Sequence, residues 1–302
     1  MKLKILIILS ILVLFLTGCG ETDTGVGPKG PYQYTAPTAI QAKFVTGIPV
    51  TSEMNPYQKG ENIPISIELT NMLPEDLPEN TVRVRLTGDA AIPNYFTGAI
   101  EVKSPTLFGR DNELGLTFPE EIDLGPINYV GELPAKSAKT ITAQYCYQTP
   151  VKVVGFLYYT DDATKIGSNL VSGSHPPSRV EITDILQYPV RIKEDNTGEM
   201  RFRVTIRNKG HGTVIESLDS CFQYRDRSER EILRLNAQGA YNVDCGDGLV
   251  RLSRDTKTAT IDCYVTGIDP ANLSPQPSEL FLTLDNFAYE ENISPVIIYV
   301  EP

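Results

Sequence analysis

The sequence predicts an all-β chain organised as two β-sandwiches in tandem. Three observations predict it. Apolar and polar residues alternate in several runs, as at Ile63, Ile65, Ile67 and Leu69, and again at Phe202, Val204 and Ile206; a period of two marks a strand with one buried face. The 302 residues include 23 glycines and 22 prolines scattered without a repeat, which suits short strands joined by turns. Patterns in the first half also recur in the second.

The chain opens with Lys2 and Lys4, then an apolar run over residues 5–16 broken only by Ser10. That run is shorter than the ~20 residues a membrane-spanning helix needs. It ends in Leu16-Thr17-Gly18-Cys19. The segment resembles a prokaryotic lipoprotein signal with its lipobox. The resemblance implies a signal peptide over 1–18, cleavage before Cys19, and lipid on the Cys19 thiol. Two acyl chains hold a protein on a membrane where one binds only marginally.

Residues 19–37 follow, rich in Gly, Pro and Thr and without apolar periodicity; they read as a flexible tether. A first sandwich is expected over 38–172. Its strands are the Ile63–Leu69 alternation, Val82, Val84 and Leu86, and the β-branched and aromatic runs TITAQYCY (140–147) and VKVVGFLYY (151–159). Residues 88–134 carry Pro93, Pro105, Pro119 and Pro126 and suit loops and short edge strands. The segment 173–178 (GSHPPS) reads as a stiff linker. A second sandwich is expected over 179–302, with strands at 180–186, 201–208, 249–253, 258–265, 280–284 and 296–300.

The halves read as copies. Residues 62–71 (NIPISIELTN) match 200–208 (MRFRVTIRN), each ending in Asn. Residues 139–147 (KTITAQYCY) match 257–264 (KTATIDCY), and Phe156-Leu157 match Phe281-Leu282. A strand ending in Asn208-Lys209-Gly210, and the stretch LPAKSAKTIT (133–142) before a strand, resemble the tandem immunoglobulin-like modules of prokaryotic surface proteins, the CARDB-type domains in particular. Two short stretches carry the resemblance: Asn71 lacks the following Gly, and the second half lacks the Leu-Pro-Ala turn. It implies an adhesive or structural role and no catalytic residue.

Five cysteines are present. With Cys19 assigned to lipid, Cys146, Cys221, Cys245 and Cys263 face an oxidising exterior. A hairpin of 249–253 and 258–265 would bring Cys245 close to Cys263, making Cys245–Cys263 the candidate disulfide. The alternative pairs Cys221 with one of them. Cys146 is expected as a buried free thiol. Zinc is disfavoured, because no C-x-x-C spacing occurs and His211 is the only nearby imidazole.

The formal net charge of −11 disfavours nucleic acid and adhesion to anionic lipid. The sequence has no G-x-S-x-G, P-loop, G-x-G-x-x-G or H-E-x-x-H motif. His175 and His211 are expected in solvated loops, so no catalytic residue and no cofactor are expected. Asp161-Asp162, 195–199 and 244–248 hold carboxylates in turns; Asp244 and Asp247 are the weak calcium candidates, although Asx turns explain them without metal. The alternating charges of 225–234 (RDRSEREILR) read as a solvated, self-paired stretch. Asn272 and Asn292 begin N-x-S sequons.

The leading expectation is a lipid-anchored cell-surface or envelope protein, non-catalytic, acting in adhesion, structure or assembly through protein contacts. Its partners are the membrane, through lipid on Cys19, and a protein or glycan. The alternative is a glycan- or solute-binding surface lipoprotein using loop aromatics, with Tyr95, Phe96 and Phe108 as ligand-binding candidates beside Phe118 and Tyr129. An envelope hydrolase ranks third, for want of motifs.

Overall fold

The computed structural model describes residues 37–98, 100–111, 113–170, 175–223 and 230–302. The signal, Cys19 and the tether up to residue 36 lie outside them.

Chain order in the first half is β1 (Ile40–Phe44), β2 (Tyr57–Gln58), β3 (Asn62–Ile63), β4 (Ser66–Asn71), β5 (Val82–Gly88), β6 (Phe96–Gly98), β7 (Glu101–Lys103), β8 (Pro119–Asp123), β9 (Ile127–Tyr129), β10 (Ser137–Tyr147) and β11 (Val151–Tyr158). The second half adds β12 (Val180–Gln187), β13 (Arg191–Ile192), β14 (Gly198–Asn208), β15 (Thr213–Ile215), β16 (Ile232–Gln238), β17 (Asn242–Asp244), β18 (Leu249–Arg251), β19 (Thr258–Ile268), β20 (Pro277–Asp285) and β21 (Ala288–Glu301). The expected alternation holds: Val82, Val84 and Leu86 are buried on β5, and Phe202, Val204 and Ile206 on β14.

The strands form two β-sandwiches. In the first, β1-β4-β8 makes one layer and β7-β5-β10-β21-β15 the other, with a small sheet β3-β9-β6 alongside. In the second, β12-β14-β19-β17 faces β11-β20-β16-β18. The two share one spatial strand order, although the strand that closes the first, β21, has as its counterpart the strand that opens the second, β11. β1-β4-β8 corresponds to β12-β14-β19, and β7-β5-β10-β21 to β18-β16-β20-β11.

This correspondence corrects two expectations. The match of residues 62–71 with 200–208 is a true equivalence, β4 with β14. The other two matches are not: β10 corresponds to β20 rather than β19, and the two Phe-Leu pairs lie on β11 and β20, strands that pair with each other. Strand composition alone produced those two.

The second correction concerns the boundary. β10 does not pair with β11, the strand that follows it, and β20 does not pair with β21. Instead β21 pairs with β10 along most of its length, from Ser137↔Val300 to Tyr147↔Tyr289, and β11 pairs with β20 from Val151↔Leu284 to Tyr158↔Pro277. The segment 151–285 is therefore inserted between the last two strands of the first sandwich. The chain crosses between the sandwiches at 148–150 and 286–287, not at 173–178. The Pro-Pro segment connects β11 to β12 within the second sandwich, where Pro177 and Ser178 are buried. Consecutive prolines fix an extended local geometry, and that geometry serves a crossover between two layers as well as a linker between two domains. Buried residues of both sandwiches form one continuous apolar cluster.

One device marks the repeat at atomic level. Asn71, fully buried at the end of β4, accepts a hydrogen bond on Oδ1 from Leu73 N–H (3.0 Å) and donates through Nδ2 to the Glu75 and Leu107 carbonyls (2.7 and 3.2 Å). Asn208, buried at the end of β14, accepts from Gly210 N–H (2.9 Å) and donates to the Gly212 carbonyl (3.1 Å). Each amide satisfies the N–H two residues on and the carbonyl four residues on. An Asx turn of this kind replaces ladder bonds lost where a strand ends.

Candidate functional site

The junction of the two sandwiches is where the sequence concentrates unusual side chains. β10 places Tyr145 and Tyr147 toward the core, so Cys146 faces the opposite side of the sheet. That face is covered. β15 adds itself to the edge of the first sandwich's sheet through Thr213↔Glu290 and Ile215↔Ala288, and the chain then runs back over the strands. Cys221 bonds Cys146, with Cα atoms 6.1 Å apart. Around them, Arg83 donates to the Leu218 carbonyl (2.8 Å) and Arg85 to the Phe222 carbonyl (3.0 Å). Phe222 N–H donates to Glu290 Oε2 (2.9 Å), and the Arg83 guanidinium sits 5.8 Å from the Phe222 ring centroid. Cys146, Cys221, Ile215 and Ala288 form a separate small buried cluster. Cys146 is thus a disulfide partner and not the expected free thiol. The signal was in the alternation, which places Cys146 opposite two core tyrosines and hence on a face that needs a cover.

A polar network runs beside this clamp. Tyr145 OH donates to Glu291 Oε2 (2.8 Å), and Glu291 is ion-paired with Arg179 (3.2 Å) from the inserted sandwich. Tyr289 OH accepts from Gly212 N–H (2.9 Å) and donates to Asn208 Oδ1 (3.2 Å). Burial, with the Glu291 charge nearby, pushes the Tyr145 and Tyr289 hydroxyls well above the usual tyrosine range; burial also raises Tyr147. These phenols are structural donors, locked neutral. The two crossings meet at a cleft of about 550 Å3, lined among others by Gln148, Ser217, Ile232, Arg234 and Asn286.

The second disulfide, Cys245–Cys263, is present, with Cα atoms 4.2 Å apart. Its frame differs from the expected hairpin. β18 pairs with β16, not β19; β17 pairs with β19 through Asp244↔Tyr264, and the next residues in that register are the two cysteines.

The remaining candidates separate. Phe96 is buried against Tyr129 (ring centroids 5.1 Å apart, edge-on) and is a core residue, not a ligand contact. Tyr95 is exposed and stacks on Tyr129 at 6.4 Å, with Lys139 Nζ 5.6 Å from its ring. Phe108 is half exposed on a different loop, the one between β7 and β8. Asp244 Oδ1 accepts from Gly246 N–H (2.8 Å) and Asp247 Oδ1 from Leu249 N–H (2.9 Å), so each closes a turn. Among the described residues no group of three or more His, Cys, Asp or Glu is placed to hold a metal.

His175 is not a solvated loop residue. Its Nδ1 donates to the Pro176 carbonyl (2.9 Å) and its Nε2 accepts from Ile182 N–H (3.1 Å), which defines a neutral tautomer; burial holds its pKa below the ordinary value. His211 and Asn272 are exposed, and Asn292, also exposed, accepts from Gln144 Nε2 (2.9 Å). Residues 225–229 of the charged stretch lie outside the described residues. No helix among the described residues is long and apolar enough to cross a membrane.

No protein-family model matches the chain, and no curated protein matches it. Among solved structures, the B domain of a biofilm-associated protein aligns at 11% identity over 85% of this chain and 75% of its own, with a TM-score of 0.15. A partial N-terminal region of an enterococcal surface protein aligns at 9% identity over 89% and 87%, also with a TM-score of 0.15. At such scores neither likeness carries weight in the functional reading.

Proposed function

We propose that the chain is a lipid-anchored, non-catalytic protein of the cell surface or envelope, with an adhesive, structural or assembly role exercised through protein contacts. The observation that carries this reading is the locked junction. One sandwich is inserted into the other, a strand is shared across them, and Cys146–Cys221 ties the two covalently. Disulfides belong to oxidising compartments, and two interlocked sandwiches make a scaffold that presents its surfaces in fixed relation. The anchor itself rests on Leu16-Thr17-Gly18-Cys19, and the non-catalytic part on the lack of a nucleophile–base motif in the sequence.

The test is made in cells. The full chain is expected in the detergent phase on partition and accessible to added protease on intact cells, whereas Cys19→Ser should shift it to the aqueous phase or leave it uncleaved. Cells lacking the protein should lose attachment or envelope integrity, restored by the wild-type chain. Unchanged lipid labelling of Cys19→Ser, or turnover of an envelope polymer by the purified chain, would overturn the reading.

A further inference from the structure

The outer face of the second sandwich carries a feature that neither the anchor nor the junction uses. On β14, Met200 and Phe202 point into the core, so Glu199, Arg201 and Arg203 point out. Arg201 lies directly opposite Tyr264 of β19. On its other side, Tyr188 N–H bonds the Arg201 carbonyl (3.0 Å), and the guanidinium stands 5.4 Å from the Tyr188 ring centroid. Two tyrosines therefore flank one arginine, Tyr264 from the neighbouring strand β19 and Tyr188 from just past the end of β12.

Both rings are open to solvent, Tyr188 at 37% and Tyr264 at 41% exposure. With Pro189, Arg191, Glu199 and Arg201 they line a hollow of about 290 Å3.

The floor of this hollow is held in place. Asp262 accepts from Arg201 Nη2 (2.6 Å) and from Arg203 Nε (2.9 Å). Those two guanidiniums hold the Asp262 carboxyl below the usual carboxylate range. Arg201 is thus fixed between a carboxylate and an aromatic face, and little conformational freedom is left to lose on binding. Glu199 is ion-paired with Lys193 and presents carboxylate oxygens as acceptors. Arg191, on β13 opposite Glu199, is exposed and forms no ion pair with any described residue.

We propose that this hollow is a binding site for a carboxylate-bearing pyranose, such as a uronate residue of a surface polysaccharide. Each part of the sugar has a counterpart. The apolar C–H face of a pyranose stacks on tyrosine rings, which offer large area and few torsions to fix. Ring hydroxyls donate to Glu199 and accept from arginine N–H groups. A planar fork of donors at Arg191 matches a carboxylate bidentately. A solvated sheet face needs none of this; the same strand carries Thr205 and Arg207 farther along without aromatic neighbours. The proposal goes beyond the anchored-scaffold reading and does not depend on it.

The full chain, solubilised in mild detergent, is titrated over immobilised alginate, a polyuronate, with dextran as the neutral control. Saturable binding to alginate and none to dextran is expected. Tyr264→Ala and Arg191→Gln should each weaken it by about tenfold or more, and Tyr188→Ala likewise. These side chains lie outside the core, and an unchanged thermal midpoint checks that each variant is folded. Tyr95→Ala, on the other sandwich, should bind as wild type. No saturable binding to alginate, equal binding to dextran, or full binding by folded Tyr264→Ala overturns the proposal.

Discussion

Removing the Cys146–Cys221 bond should destabilise the protein more than removing Cys245–Cys263. In the chain-entropy picture a crosslink limits the unfolded ensemble according to the length of chain it closes. Cys146–Cys221 spans 75 residues, which gives about 15 cal/mol/K, or about 4.5 kcal/mol near room temperature. Cys245–Cys263 spans 18, which gives about 3.2 kcal/mol. The double variants Cys146→Ala/Cys221→Ala and Cys245→Ala/Cys263→Ala therefore differ by about 1.3 kcal/mol. Packing widens the gap, because Cys146 and Cys221 are both buried while Cys245 is only partly so. The assay is urea denaturation followed by circular dichroism, with a single transition expected from one continuous core. Titration of the unreduced, denatured chain should find no reactive thiol at Cys146, Cys221, Cys245 or Cys263. Two reactive thiols, or a smaller loss for the longer crosslink, would refute both the pairing and the clamp built on it.

Four further outcomes follow from the same structure. Asn71→Ala removes the partner of the buried Leu73 N–H and of the Glu75 carbonyl, and Asn208→Ala does so for the Gly210 N–H and the Gly212 carbonyl; each should cost about 2 kcal/mol in denaturant melts. His175 is held neutral in the folded state with its pKa below the unfolded value. Its contribution is present above about pH 6.5 and lost as pH falls through the folded pKa; His175→Gln should flatten that acid-side slope. Glu231 is pushed the other way, raised by burial, with Oε2 lacking a partner. Its penalty grows as pH rises above about 4.5, so Glu231→Gln should equal or exceed wild-type stability at neutral pH and lose that advantage toward pH 4. Glu231 also holds φ at 61°, so Glu231→Gly should be tolerated better than Glu231→Val in the same melts.

The all-β class was legible because alternation is local: one buried face imposes period 2 on residues such as Val204 and Ile206 wherever the strand finds its partner. Pairing is not local. The TITAQYCY and VKVVGFLYY runs read correctly as strands, yet nothing in them says that the three residues between them lead from one sandwich to the other. The Pro-Pro segment misled for the same reason, since it reports chain stiffness and not domain membership. Asn at two strand ends was the one repeat signal with a structural cause, a side chain spanning the same two backbone groups in each copy. Tyr95 and Phe96 are neighbours in sequence and opposite in fate, because Tyr95 lies in the turn before β6 while Phe96 opens the strand and packs edge-on against Tyr129. The hollow at Tyr188 and Tyr264 was not legible, because its members are scattered along the chain and meet only through register.

Insertion has a mechanical consequence. β1 and β21, the first and last strands described, both belong to the first sandwich. A pull applied at β1 and opposed at β21 is carried through that sandwich alone, with β21 paired along β10 and its end zipped in parallel against Tyr57 and Gln58. The second sandwich lies off the line of tension, so its outer face can keep its shape while the part beneath it is strained.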